Sequence, residues 1–395
     1  MQKKRFFAFG MLVGMALMLG LSFVSRPIRS QLLWGGLLPP EAKILEIYSL
    51  LEAHSIIPVE KNVLLDNMYR GLLEGVGDPY TYYFNRDALA VFLERNEGSY
   101  AGVGMVVTMD FEDDKVTVVT VFAGSPAEEA GMLPGDKIIE VDGEDMIGRR
   151  VDEVTTLVRG VPGTQVRLRI LRGSETINKL ITRQQVYIPT VSHRMLDDGI
   201  GFLRIESFDG VTATQFSEAY IDLRAQGLHG LIIDLRNNPG GSLQTVVHIS
   251  NLLLPEGTIL YTENSRGERT VYRSQDDNRI DVPLVILVNG GSASASEVLT
   301  GAVRDHGVGT VVGQQTFGKG VVQSLLALSD GSAVKVTTSR YYTPNGTSIH
   351  GEGIEPDYIV EVDRETAMMA ARLEFDEDIQ LQKAVEVMEG KLGLR

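Results

Sequence analysis

The chain has 395 residues, 43% apolar and 23% charged, the composition of a packed globular protein with room for two or three domains. Its formal net charge of −15 argues against a nucleic-acid partner, whose phosphates call for Lys and Arg. The absence of cysteine excludes disulfides, thiolate metal sites, a cysteine nucleophile and a lipidated N-terminal cysteine.

Lys3, Lys4 and Arg5 precede an uncharged run from Phe6 to Val24. As a helix, that run approaches the ~30 Å of a bilayer's hydrocarbon core. The basic flank predicts a cytoplasmic N-terminus, although Arg26 and Arg29 follow the run. Residues 1–30 are therefore predicted to be a transmembrane anchor or a signal helix. Either places the body of the protein outside the cytoplasm: periplasmic, on the outer face of the membrane, or secreted. Residues 31–97 read as a helical region, with apolar stripes at Ile44, Ile47 and Leu51 and at Leu65, Met68 and Leu72. Gly77-Asp78-Pro79 breaks the pattern.

From 98 to 183 the texture is β. Met105-Val106-Val107 and Val116 to Val121 read as strands separated by acidic turn residues. Ser125-Pro126 can start a short helix, Asp142-Gly143 marks a hairpin, and Val151 to Val158 is helical in pattern. Residues 184–364 alternate strands and helices, which implies a largely parallel sheet. Gly230 to Leu235 and Leu284 to Val288 are nearly all apolar, as strands covered on both faces should be. Ala295 to Val303 is predicted as a helix, and Leu325 to Leu328 and Ala333 to Thr338 as strands. Residues 365–395 are predicted to form a charged closing helix lying on the outside or at a subunit contact.

Three segments carry candidate chemistry. Ser294 sits between a buried strand and a helix start, where free N–H groups and the helix dipole face the site. Serine needs a neighbouring base. Ser294 to Glu297 also fits a capping box, and Ser292 and Ser296 compete as nucleophiles. Lys319, in a glycine turn, can serve as a base if burial lowers its pKa. Gly313 to Lys319 matches the start of a phosphate-binding loop, but Gly320 stands where the Ser or Thr that holds magnesium belongs. Finally, Asp234-Leu235-Arg236-Asn237-Asn238-Pro239-Gly240-Gly241 can present backbone N–H groups or can be a plain strand-to-helix turn. Histidine bases are unsupported: His306 and Asp305 follow the end of the Ser294 helix, and no zinc-binding histidine spacing occurs.

Residues 98–183, with Ser125-Pro126-Ala127, Ala130-Gly131-Met132 and Gly135-Asp136-Lys137-Ile138, resemble a bacterial PDZ domain. That implies capture of a peptide tail at Gly102, Val103, Gly104 and Met105. Taken together, Asp234 to Gly241, Gly291 to Glu297, Phe317 to Gln323 and Arg340 to Gly346 resemble the C-terminal processing peptidases, the tail-specific serine proteases of family S41. The resemblance implies an α/β ClpP/crotonase-like core with an inserted PDZ domain and a helical cap from both termini. It also implies a Ser–Lys dyad: Ser294 as nucleophile, Lys319 as general base and Gln323 orienting the amine. The amides of Ala295 and of Gly240 or Gly241 would form the oxyanion hole. No metal or cofactor is expected. The expected partners are protein or peptide substrates with apolar C-termini, the membrane through the N-terminal helix, and a possible second copy of the chain. The alternative is a PDZ peptide-binding scaffold with an inactive protease-like domain.

Overall fold

The computed structural model describes residues 40–275 and 279–394. The anchor or signal helix predicted for 1–30 lies outside them; among the described residues no helix is long and apolar enough to cross a membrane. Two compact units are present, one ending at Gly75 and one beginning at Val76. In the first, helices Pro40–His54 and Lys61–Glu74 share an apolar cleft lined by Ile44, Ile47, Leu51, Leu65 and Met68.

The second unit is built on a six-stranded sheet in the order Val191–Met195, Ile200–Ile205, Gly230–Asp234, Leu284–Val288, Gly309–Gly313, Tyr358–Ile359. Only the first pair is antiparallel. Side chains alternate faces along a strand, and the apolar runs show it. Leu284, Ile286 and Val288 enter the core that holds the helices Thr212–Ala225, Leu243–Leu253 and Ala295–Asp305. Val285 and Leu287 enter the opposite core, against Leu381, Ala384 and Met388 of the last helix. Both faces are covered, which is why these strands carry no polar alternation.

That last helix departs from expectation. The predicted closing helix is two pieces, Arg364–Met369 and Ile379–Leu392, separated by turns. Asp378 starts the second piece by accepting from the Leu381 amide at 3.0 Å. Its apolar stripe is core rather than surface, because it packs on the strands Gly230–Asp234, Leu284–Val288 and Gly309–Gly313 at the centre of the sheet.

A five-stranded antiparallel sheet flanks this core: Tyr82–Phe84, Ala333–Tyr342, Gly257–Asn264 and Arg269–Ser274, with Val321–Ala327 also on Ala333–Tyr342. The strand predicted at Leu325 to Leu328 thus begins four residues earlier, straight after the lysine turn. Within 31–97, read as helical, Tyr82–Phe84 is a strand. Three consecutive aromatic residues favour a pleated, half-buried surface, and Asn85 then caps the helix Arg86–Glu97.

The β-rich segment has its own apolar cluster, from Val103 to Ile181. Its six-stranded sheet runs Met105–Asp110, Lys115–Val121, Lys137–Val141, Gln165–Arg172, Glu175–Thr182, with Glu144–Asp145 beside Lys137–Val141. Where the chain enters and leaves this segment, Ser99–Gly102 pairs antiparallel with Gln184–Tyr187.

Candidate active site

Three loops leave the carboxyl ends of adjacent parallel strands, the end of an open α/β sheet where ligands bind. They are 235–242 after Gly230–Asp234, 289–294 after Leu284–Val288, and 314–320 after Gly309–Gly313. Together they carry all three candidate segments.

Ser294 occupies the turn into the helix Ala295–Asp305 with φ 55° and ψ −110°. A non-glycine residue held there stores strain of order 1–3 kcal/mol, and such strain concentrates at functional sites. What enforces it is Glu297, fully buried. Its carboxylate accepts the Ser294 amide at 2.8 Å, the acidic half of the capping box. It also accepts the Thr316 hydroxyl at 2.7 Å and the amides of Gly318 at 2.6 Å and Lys319 at 2.9 Å. One carboxylate therefore bolts the serine turn to the lysine turn. Tyr341 adds a second bolt, its hydroxyl donating to the carbonyls of Ser294, at 3.0 Å, and Lys319. Burial first, then the Glu297 carboxylate and Tyr80, push the Tyr341 phenol well above its ordinary pKa, so it stays a donor. Sequence reading gave neither residue a role in joining the turns; the S-x-x-E spacing was the available signal for Glu297.

The rival serines are structural. The Ser292 hydroxyl donates to the Leu235 carbonyl at 2.7 Å and the Ser296 hydroxyl to the Asn238 carbonyl at 3.0 Å, both fully buried. Ser294 is only half-buried and faces a cavity of about 500 Å³, which Ala295, Gly241, Lys319, Gln323, Lys335 and Tyr341 also line.

The glycine loop approaches this serine closely. A Cβ on Gly240, where φ is 101°, would lie 2.8 Å from the Ser294 Cβ, so only glycine fits. The Gly240 amide is already used, donating to Asn238 Oδ1 at 2.9 Å. Gly241 bridges to Phe208 through its neighbours: Phe208 donates to the Gly240 carbonyl at 3.0 Å, and Ser242 donates to the Phe208 carbonyl at 2.7 Å. The Gly241 amide itself stays out of that ladder, and Ala295 is the first residue of its helix, where amides lack intrahelical partners. Beneath the loop Arg236 is buried among carboxylates. It reaches both oxygens of Asp234 at 2.9 and 2.8 Å and both oxygens of Asp378 at 2.8 Å. Burial alone would raise the Asp234 carboxyl; Arg236 and Arg204 outweigh it and hold it below its ordinary value.

Lys319 sits half-buried with its amine 4.7 Å from the centroid of the Tyr80 ring. Burial, then the positive charge of Lys335, lowers its pKa, against the opposing pull of Asp78 and Glu297. No hydrogen bond joins the amine to the Ser294 hydroxyl among the described residues. Gln323, expected to orient the amine, instead donates its side-chain amide to the Tyr80 carbonyl; it touches the ring's segment, not the lysine. Lys335, a cavity residue missed in the sequence, lies 5.7 Å from the Phe84 ring and 5.3 Å from the Phe92 ring.

In the β-rich segment Val103 and Met105 line an apolar groove between Met105–Asp110 and the helix Val151–Val158, together with Val107, Val154 and Val158. Met105–Asp110 is an edge strand, pairing on one side only. Gly102 ends the preceding strand, and Gly104, at φ 86°, turns the loop against Ser125. At the groove's end the Arg159 guanidinium lies 4.6 Å from the Tyr100 ring centroid and pairs with Glu94. His306, already set aside as a base, lies with Nε2 2.8 Å from the Thr258 carbonyl. Among the described residues no group of three His, Asp or Glu side chains could hold a metal ion.

Comparison with known proteins places the chain among described families. A family model described as peptidase family S41 matches residues 199–360, and one described as a PDZ domain matches residues 117–172. A carboxyl-terminal-processing protease of Synechocystis sp. is 36% identical over 329 residues, 82% of this chain and 76% of that protein. Carboxy-terminal processing protease CtpA of Bacillus subtilis is 34% identical over 322 residues, 81% of this chain and 69% of that protein. A crystal structure described as an S41 protease from Bacteroides fragilis superposes with a TM-score of 0.51 at 15% identity, covering 81% of this chain and 90% of that one, a likeness of fold alone.

Proposed function

Because this chain belongs to peptidase family S41, as a carboxyl-terminal processing protease of serine type, we propose that it cleaves extracytoplasmic proteins near apolar C-terminal tails with a Ser294–Lys319 dyad. The neutral Lys319 amine takes the proton from the Ser294 hydroxyl as its oxygen attacks the scissile carbonyl. The oxyanion that develops accepts from the amides of Ala295 and Gly241. Gly241 is preferred to Gly240 because the Gly240 amide already has an acceptor in Asn238. Collapse of the intermediate breaks the peptide bond, and the Lys319 ammonium returns its proton to the leaving amine. Water then repeats the sequence on the acyl-enzyme, freeing Ser294.

The observation that carries this reading is the common cavity: Ser294, Ala295, Gly241 and Lys319 all line it, at a helix N-terminus. The absence of a hydrogen bond between amine and hydroxyl fits a resting enzyme whose site completes on substrate binding. The PDZ groove supplies the control. A tail adds as a strand to the free edge of Met105–Asp110, places its carboxylate at the Gly102–Met105 loop and its apolar side chains in the groove. Arg159, tied to Glu94 on the helix Arg86–Glu97, links groove and core. Residues 1–30 are read as the anchor or export signal that brings this enzyme to its substrates.

The test uses a disordered protein with and without an apolar C-terminal tail. Wild type is expected to cut the tailed substrate faster, with turnover rising with pH because the neutral amine is the base. Ser294→Ala and Lys319→Arg are both expected to be inactive, arginine remaining charged at any working pH. Cleavage by Lys319→Arg, mapped by mass spectrometry, would remove Lys319 as the base.

A further inference from the structure

The Lys319 amine lies over an aromatic ring and makes no hydrogen bond to the Ser294 hydroxyl, and the segment that carries the ring is held in place. Tyr80 lies in Gly77-Asp78-Pro79-Tyr80-Thr81. Asp78 accepts the Tyr80 amide at 3.0 Å and the Thr81 hydroxyl at 2.6 Å. Two residues on, Tyr82 pairs with Lys335 in the antiparallel sheet. Gln323 holds the Tyr80 carbonyl. The segment is thus pinned at the Tyr80 backbone, just before it and just after it, and this places the ring beside the amine, which lies 4.7 Å from its centroid. A desolvated ammonium over a tyrosine face is attracted by the ring quadrupole. A neutral amine, the form a general base needs, carries no such charge and gains little from the face.

We propose that Tyr80 is a positioning residue whose ring face holds the protonated Lys319 amine aside from Ser294, and that release from this face accompanies assembly of the dyad. The inference rests on the reading of Lys319 as general base. The other charged and titratable groups around the amine are Lys335 on the strand Ala333–Tyr342, Asp78 in the Tyr80 turn, Glu297 on the serine helix, Tyr341, and His350, whose backbone packs on Gly320. Lys335 disfavours the ammonium, while Asp78 and Glu297 favour it. Tyr80 contributes its ring face, so altering it removes that contact without changing a formal charge at the site.

Tyr80→Leu removes the face while keeping an apolar side chain against the amine; Tyr80→Phe keeps the face. In the Ser294→Ala background, where no substrate is turned over, Lys319 reactivity toward trace acetic anhydride is followed against pH by mass spectrometry. Tyr80→Leu is expected to move the labelling midpoint to lower pH, and Tyr80→Phe to leave it in place. With Ser294 restored, hydrolysis of a disordered protein lacking an apolar tail is expected to rise roughly threefold to tenfold in Tyr80→Leu, the worth of one cation–π contact. A midpoint that stays or moves up in Tyr80→Leu, in protein whose thermal unfolding remains cooperative, overturns the proposal. Cleavage surviving Lys319→Ala would instead overturn the general-base reading, and the labelling result would still report on the ring and the amine.

Discussion

At the scale of single residues, the serine and the lysine are joined less by each other than by Glu297. Four donors converge on its buried carboxylate, two from the lysine turn's backbone, one from the serine's own amide and one from Thr316. Such charge-assisted bonds are worth about twice neutral ones. Glu297→Gln keeps the volume but turns one acceptor into a donor facing donors. Turnover is expected to fall about a hundredfold from misplacement of the proposed dyad. Stability is expected to fall by about 3 kcal/mol from the buried groups left unpaired. Steady-state kinetics and denaturant unfolding measure the two. Loss of stability with turnover intact would mean that the turns hold their places without the carboxylate. The S-x-x-E spacing made the bond to Ser294 legible in the sequence. The bonds to residues 316–319 were not, since they depend on how two separate loops end side by side.

Among the elements, the last helix is tied to the sheet by charge as well as by apolar contact. Arg236, at the end of the strand Gly230–Asp234, reaches forward to Asp378 at the start of Ile379–Leu392. The neighbouring Asn237 donates to the Ala367 carbonyl at 2.7 Å in the helix before it. The loop that carries Gly241 is therefore held from below by the C-terminal segment. Arg236→Met would leave the carboxylates of Asp234 and Asp378 buried without their shared cation, a loss of about 3–5 kcal/mol. Thermal unfolding is expected to shift accordingly, and the shift should be smaller at acid pH. The Asp234 carboxyl is held below its ordinary pKa in the folded protein. Its contribution is thus fully present above the unfolded carboxyl pKa and is lost as pH falls through the lower folded value. A pH-independent difference between variant and wild type would remove the carboxylates from the explanation.

Across the whole second unit, the β-rich segment behaves as an insertion. Its apolar cluster is its own, and its two ends pair as Ser99–Gly102 with Gln184–Tyr187. Residues 98–187 expressed alone are expected to unfold cooperatively and to bind a peptide with a free apolar C-terminus, but not its amide, by fluorescence anisotropy. A molten segment would show that it borrows its stability from the parallel-sheet core. The sequence by itself determined many of the local pieces: apolar runs that must be buried on both faces, the turn glycines, the alternation of strands and helices around the serine, and the serine, lysine and glycine strings that mark the family. Those features depend on short-range patterning. Only the tertiary structure decided that Gly240 spends its amide on Asn238, that Gln323 holds Tyr80 rather than the lysine, and that the charged closing helix is half core. Each of these depends on side chains brought together from distant parts of the chain, where geometry, not residue type, selects the partner.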